Sequence, residues 1–366
     1  MPAYHLHTFI NITNLMLFIG VVLLVSYRYY LTKISLMDAI RNSNAENTDS
    51  FFDITNFDDL IQKYRLHSLH KYQKIAFFDY ASHPLYPNSV IDNFSKNLHS
   101  NLYGNTHSES ESADLSTNTI DFVRNKILDF FGTNLSQYTV LFTYSHYQAL
   151  KLLVESFPFT SESTFLLTAN SHNDILKLQD FASKKKSKIQ KVGINEITNS
   201  NSAFFKFPEI TKNLNIDNQS EFENLALTAK NMNSNAVYIE HLNVTMNLLI
   251  VPLVDEFEGT VLHEHDIKSL SPPPNIQGQT AIVVDASLYN QNNKLDLSST
   301  PVHAVTMSFE RMFGFPHLGA LIVHNSFLPY LNKPYFGGGT LVYALTSASY
   351  EKLRLSPQER FEDGSL

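Results

Sequence analysis

Cysteine is absent from all 366 residues. That excludes a disulfide framework, a thiolate nucleophile and any Cys-ligated zinc or iron–sulfur centre, so sulfur chemistry would need its thiol from elsewhere. Charge is sparse too. The 27 Lys and Arg against 35 Asp and Glu leave a net charge of −8, and the basic footprint of a general nucleic-acid binder is missing. Nucleic acid is therefore not an expected partner. What the chain does have is 43% hydrophobic residues, enough for the core of one large or two ordinary domains.

A long uncharged run lies near the amino terminus. From Thr8 to Tyr27 twenty residues carry no charge, the length that crosses a bilayer as a helix. Tyr27, Arg28, Tyr29 and Tyr30 follow as an interfacial belt, which sets the expected transmembrane helix at 8–30. A cleaved signal peptide is the competing reading, but no basic segment precedes the run and no small-residue cleavage pattern follows it. Arg28, Lys33 and Arg41 come after the helix and no lysine or arginine comes before it, so the positive-inside rule places a single-pass protein's body in the cytosol. Which membrane is involved stays open. The lipid bilayer is the expected partner through this helix.

Residues 31–72 mix Asn, Asp and Ser with short apolar clusters and read as a tether. After that, β-rich runs alternate with helical stretches. Strands are expected at 75–78, 139–142, 164–167, 236–239, 281–285, 304–308 and 319–323, and helices at 121–131, 148–156 and 175–183. Such alternation predicts an α/β domain with a mostly parallel central sheet, whose ligands sit beyond the carboxyl ends of the strands. Residues 195–235 read as polar loops or an insertion, and the proline triplet at 272–274 as a rigid turn before a strand.

Several strand ends carry polar residues. Asp285 closes the run Ala281-Ile282-Val283-Val284; an acid there is as readily a turn or cap residue as a chemical one. His172 sits in Asn170-Ser171-His172-Asn173 and reads equally as a surface histidine. Gly337-Gly338-Gly339-Thr340 is a glycine loop whose N–H groups suit an anion. His263-Glu264-His265 invites a metal reading, but alternate residues of a strand face opposite ways, the surrounding 255–266 reads as loop, and no metal site is assigned. Lys184-Lys185-Lys186 with Lys188 reads as a solvated helix end, with acidic lipid as a lesser alternative.

The order of these phrases, with Phe142 to Leu152, Phe313-Gly314-Phe315-Pro316 before Leu318-Gly319-Ala320, the loop Tyr335-Phe336-Gly337-Gly338-Gly339-Thr340 and Arg360-Phe361-Glu362-Asp363-Gly364, resembles the aminotransferase-like domain of the molybdenum cofactor sulfurases. These belong to the class V, pyridoxal-phosphate (PLP) family that includes the cysteine desulfurases. The motifs span 75–365, and the domain is taken as 73–366. The resemblance implies an α/β, PLP-dependent transferase-like large domain, with the small C-terminal domain missing from this chain. It implies PLP as cofactor, with Asp285 on the pyridine nitrogen, His172 stacked on the ring and Asn243 near the ring hydroxyl. It also implies that Ser308, Gly338, Gly339, Thr340, Ser145 and His146 stand at phosphate-contacting positions. A homodimer is implied by the role the glycine loop has across subunits in that family.

The pattern breaks at one position. The family's Schiff-base lysine falls on Arg311, in Ser308-Phe309-Glu310-Arg311-Met312-Phe313. Arginine cannot form that imine and stays protonated, so it cannot shuttle a proton as a neutral amine. The phosphate turn carries Tyr144, His146 and Tyr147 where the family has small residues, and the family's substrate-sulfur cysteine is missing. The expectation is a membrane-anchored relative, inactive or impaired, with no catalytic residue assigned and PLP binding that is not covalent at Arg311. Two alternatives stay open: an active sulfurtransferase or desulfurase-like enzyme using another lysine, and a non-catalytic scaffold at the cytosolic membrane face.

Overall fold

The computed structural model describes residues 76–80, 82, 84–198, 245–314, 317–347 and 351–362. The transmembrane span 8–30, the tether 31–72, the strand expected at 236–239 and Asn243 lie outside them. Among the described residues no helix is long and apolar enough to cross a membrane. The chain divides into two compact units, one of residues 1–126 with 310–316 and one of residues 127–309 with 317–366.

In the first unit the strand expected at 75–78 does not form: 76–79 have no regular structure. The first described helix, α1 (Asn88–Ser100), instead buries Val90 against Ile91, Phe94 and Phe313, while Phe94 and Leu98 cover Tyr103. The second, α2 (Glu111–Phe130), starts where Ser110 Oγ accepts from the Ala113 N–H at 3.2 Å, and Glu111 and Asp114 place negative charge in its first turn. Gly314 has φ +77°, and a Cβ there would strike the carbonyl oxygen of Pro84. Only glycine meets both conditions.

The second unit is built on a seven-stranded sheet. Its strands are β1 (Tyr138–Thr143), β2 (Thr164–Thr168), β3 (Lys188–Val192), β4 (Met246–Pro252), β5 (Gln279–Asp285), β6 (Ala304–Ser308) and β7 (Gly319–His324), in the spatial order β1-β7-β6-β5-β4-β2-β3. Strands β3, β2, β4, β5 and β6 pair in parallel; β7 runs antiparallel to both β6 and β1. The expected mostly parallel α/β sheet is present. Its inner strands are buried at nearly every residue, the signature of a sheet covered on both faces. Buried Asn247 on β4 accepts from the Thr164 N–H and donates to the Gln277 carbonyl, both at 2.8 Å, so its amide is satisfied.

Further helices follow the strands: α3 (His146–Ser156), α4 (Asn173–Lys177), α5 (Gln179–Lys184), α6 (Ile194–Thr198), α7 (Glu264–Ser269), α8 (Phe309–Phe313) and α9 (Pro357–Phe361). The helix expected at 175–183 is two, α4 and α5, meeting at Leu178. Lys188 opens β3, the edge strand, rather than closing a helix, and its lysines blunt that edge. The stretch read as loop from 195 starts inside α6, and the one read as loop up to 266 ends inside α7. A separate two-stranded ribbon joins β8 (Leu341–Ala344) to β9 (Glu351–Leu353). After it Phe361 enters the sheet's hydrophobic core.

Candidate functional site

The parallel strands set Thr168, Pro252, Asp285 and Ser308 at their carboxyl ends, with Thr143 and Gly319 level with Ser308 through β7. Asp285 pairs with Pro252 on one side and Thr306 on the other. Its side chain is 9% exposed. Oδ1 accepts from the Ser287 N–H at 2.9 Å and from Thr306 Oγ1 at 3.1 Å. Both bonds fall on one oxygen, and Oδ2 takes no hydrogen bond among the described residues. The carboxylate therefore forms a local turn and also keeps an acceptor free, so the structural and chemical readings hold together.

His172 precedes α4, where its Nδ1 accepts from the Asp174 N–H at 3.3 Å. His172 and Asp285 line one cavity with Asn170, Ile175, Pro252, Val254, Glu256, Ser287 and Leu288. No lysine is among these residues. The space is about 10 Å³, room for about one water. A turn after β4 forms part of the wall. Burial pushes the Asp255 carboxyl up, but hydrogen bonds from the Glu258 N–H, Asn170 and the Phe257 N–H outweigh it and hold the group below the usual carboxylate range.

The other expected residues among those described do not line this cavity. Ser145 caps α3, its Oγ accepting from the Gln148 N–H at 3.2 Å. His146 is 8% exposed and sets its ring edge-on to Tyr147, centroids 4.8 Å apart. The backbone of both lies against Gly319, where a Cβ would collide with them. Ser308 is 2% exposed at the end of β6. The glycine loop closes on itself: Thr340 Oγ1 accepts from the Gly337 N–H and donates to the Gly337 carbonyl, both at 2.8 Å. Gly338 has φ +55°, and the Gly339 carbonyl accepts from Arg354 Nε at 3.2 Å. Arg311 is in α8, in the chain's first unit. Sequence reasoning missed Glu256. The signal was the acidic turn directly after the apolar run 246–252, but only pairing of β4 with β5 brings that turn beside Asp285. The pair His263 and His265 stacks its rings 6.1 Å apart, with His263 at the start of α7.

Residues 76–203 match the aminotransferase class-V family. The chain is 29% identical over 299 residues to the molybdenum cofactor sulfurase of Arabidopsis thaliana, covering 80% of this chain and 36% of that one. To the human molybdenum cofactor sulfurase it is 30% identical over 302 residues, 80% of this chain and 30% of that one. The chain thus spans about a third of the length of these curated relatives. Among solved structures, a cysteine desulfurase from Thermococcus onnurineus superposes with a TM-score of 0.57 at 17% identity, over 82% of this chain and 65% of that one. A cystine C–S lyase solved with its product cysteine persulfide gives 0.53 at 17%, over 80% and 68%. The strand order and these likenesses agree: the chain has the α/β fold of these structures, matches the aminotransferase class-V family over residues 76–203, and is similar in sequence to the molybdenum cofactor sulfurases.

Proposed function

We propose that this chain is a membrane-anchored, molybdenum cofactor sulfurase-like protein that has lost the covalent chemistry of its fold. The observation that carries the reading is the cavity between His172 and Asp285: among the described residues no lysine lines it, and its space is about 10 Å³. Arg311 at the position of the family lysine supports the same conclusion, because a guanidinium offers no neutral amine for an imine. When bound in this fold, PLP supplies an electron sink. Here one requirement is met, since Asp285 Oδ2 is open to a pyridinium N–H. The amine is not met, nor is the space for a ring, so the group does not fit the site as it stands. In its place Asp285 does structural work, tying the end of β5 to β6 through Thr306 and holding the turn at Ser287.

The test is a spectrophotometric PLP titration of the purified full chain, followed by borohydride reduction and mapping of labelled lysines. The reading expects no saturable imine band. One saturable band on a single lysine overturns it in favour of an active PLP enzyme. Anchoring through 8–30 is part of the same proposal, and its basis is the uncharged run with basic residues only after it. Release of the full chain from membranes by carbonate would refute the anchor without touching the pocket.

A further inference from the structure

At the opposite end of the sheet from Asp285, a second and larger cleft opens where β1 begins and β7 ends. It is a shallow cleft, open to solvent, with about 340 Å³ of space lined by Thr139, Asn325, Leu328, Pro329, Pro357 and Arg360, a size in the range of small-molecule sites. Thr139 Oγ1 donates to Asn325 Oδ1 at 2.8 Å, and Asn325 Nδ2 donates to the Leu135 carbonyl at 3.0 Å. Leu328, Pro329 and Pro357 supply apolar wall. Arg360 is left over. Its backbone N–H bonds to the Ser356 carbonyl, but its Nε is buried and meets no hydrogen-bond acceptor.

The nearby carboxylates are turned to other tasks. Glu359 approaches Arg354 at 3.9 Å, and Glu362 accepts from the Phe142 N–H at 2.8 Å. Among the described residues no carboxylate pairs with Arg360. Burial pulls its pKa down with no opposing charge to restore it. A guanidinium nonetheless keeps its proton in a protein, so a partly buried positive charge with no carboxylate partner among the described residues faces this cleft. Its planar fork matches the two oxygens of a carboxylate or phosphate.

We propose that this cleft binds a small organic oxyanion, with Arg360 as its counter-ion and Leu328, Pro329 and Pro357 holding its apolar body. The site is distinct from the His172–Asp285 cavity and shares no residue with it. Its fate does not depend on whether PLP binds.

The experiment is thermal unfolding of the full chain at constant ionic strength with benzoate, phenyl phosphate or chloride. Benzoate or phenyl phosphate should raise the unfolding temperature saturably, by about 3 °C at a hundredfold excess over Kd, and chloride should not. A response to benzoate alone assigns a carboxylate, and to phenyl phosphate alone a phosphate ester. Arg360→Gln should abolish the saturable rise. Arg360→Lys, which keeps the charge and loses the fork, should weaken binding about tenfold and serves if the glutamine variant does not fold. No saturable rise with either oxyanion, or the same rise in Arg360→Lys as in the parent, overturns the proposal.

Discussion

Glu362 Oε1 accepts a hydrogen bond from the backbone N–H of Phe142 at 2.8 Å across 220 residues of sequence. Among the described strands β1 lies at the edge of the sheet, and the carboxylate stands where a neighbouring strand's acceptor would. Phe361, beside it, is 3% exposed in the core. The segment after α9 is thus fastened to the sheet by one polar and one apolar contact.

Removing the polar contact has a defined consequence. Glu362→Ala leaves the Phe142 N–H without its acceptor and should destabilise the fold by about 1–3 kcal/mol. Glu362→Gln keeps an acceptor oxygen and should cost less. Denaturant midpoints of the two variants give the ranking, and equal losses would show that the hydrogen bond is not what matters.

Asp285 tests whether the site residue is structural. Asp285→Ala strips the acceptor from the fully buried Thr306 hydroxyl and from the Ser287 N–H, a loss of about 1–3 kcal/mol. Asp285→Asn retains a carbonyl oxygen and should recover most of it. The loss is expected in protein prepared without PLP, which separates it from any cofactor effect.

Gly319 abuts the Ser145–His146 backbone closely enough that an added Cβ would collide with Ser145 carbonyl atoms and the His146 nitrogen. The neighbour is backbone at a helix start and cannot swing aside. Gly319→Ala should therefore cost about 1–3 kcal/mol or more, seen as a lowered unfolding temperature. A neutral result would mean that α3 can shift.

Two histidines give the fold an acid limit. Burial drives His303 far below its usual pKa, with the neighbouring His324 charge adding to the effect, while its Nδ1 accepts from the Ile282 N–H at 2.8 Å. Burial alone lowers His324 to about 4. Both are neutral when folded and titrate near the ordinary histidine pKa when unfolded. Below about pH 6.5 the unfolded chain binds more protons, so stability falls as pH falls. For His324 that loss grows down to about pH 4 and then levels off; for His303 it continues lower. Unfolding free energy measured from pH 7 to pH 4 should decline, and His324→Asn should flatten part of the slope.

Much of this fold can be read directly along the chain. The run 304–308 is β6 residue for residue, and 281–285 is the inner part of β5, because strands buried on both faces are unbroken apolar runs. The edge strand β3 escaped notice since its exposed lysines interrupt that pattern, and α1 did because its buried surface centres on Val90. Tyr103, though hydrophobic, needed Phe94 and Leu98 from α1 to become core.

The site divides in the same way. Composition and order alone settle that the chain has no thiol and that arginine stands at 311, since these are matters of which atoms are present. Pairing of β4, β5 and β6 decides that Glu256 joins His172 and Asp285 around one cavity of about 10 Å³. Likewise, only the docking of α9 beside β1 leaves Arg360 facing a cleft while its neighbouring carboxylates point elsewhere. Parallel crossovers join residues far apart in the chain, and a charge becomes costly only once the fold has removed water from it.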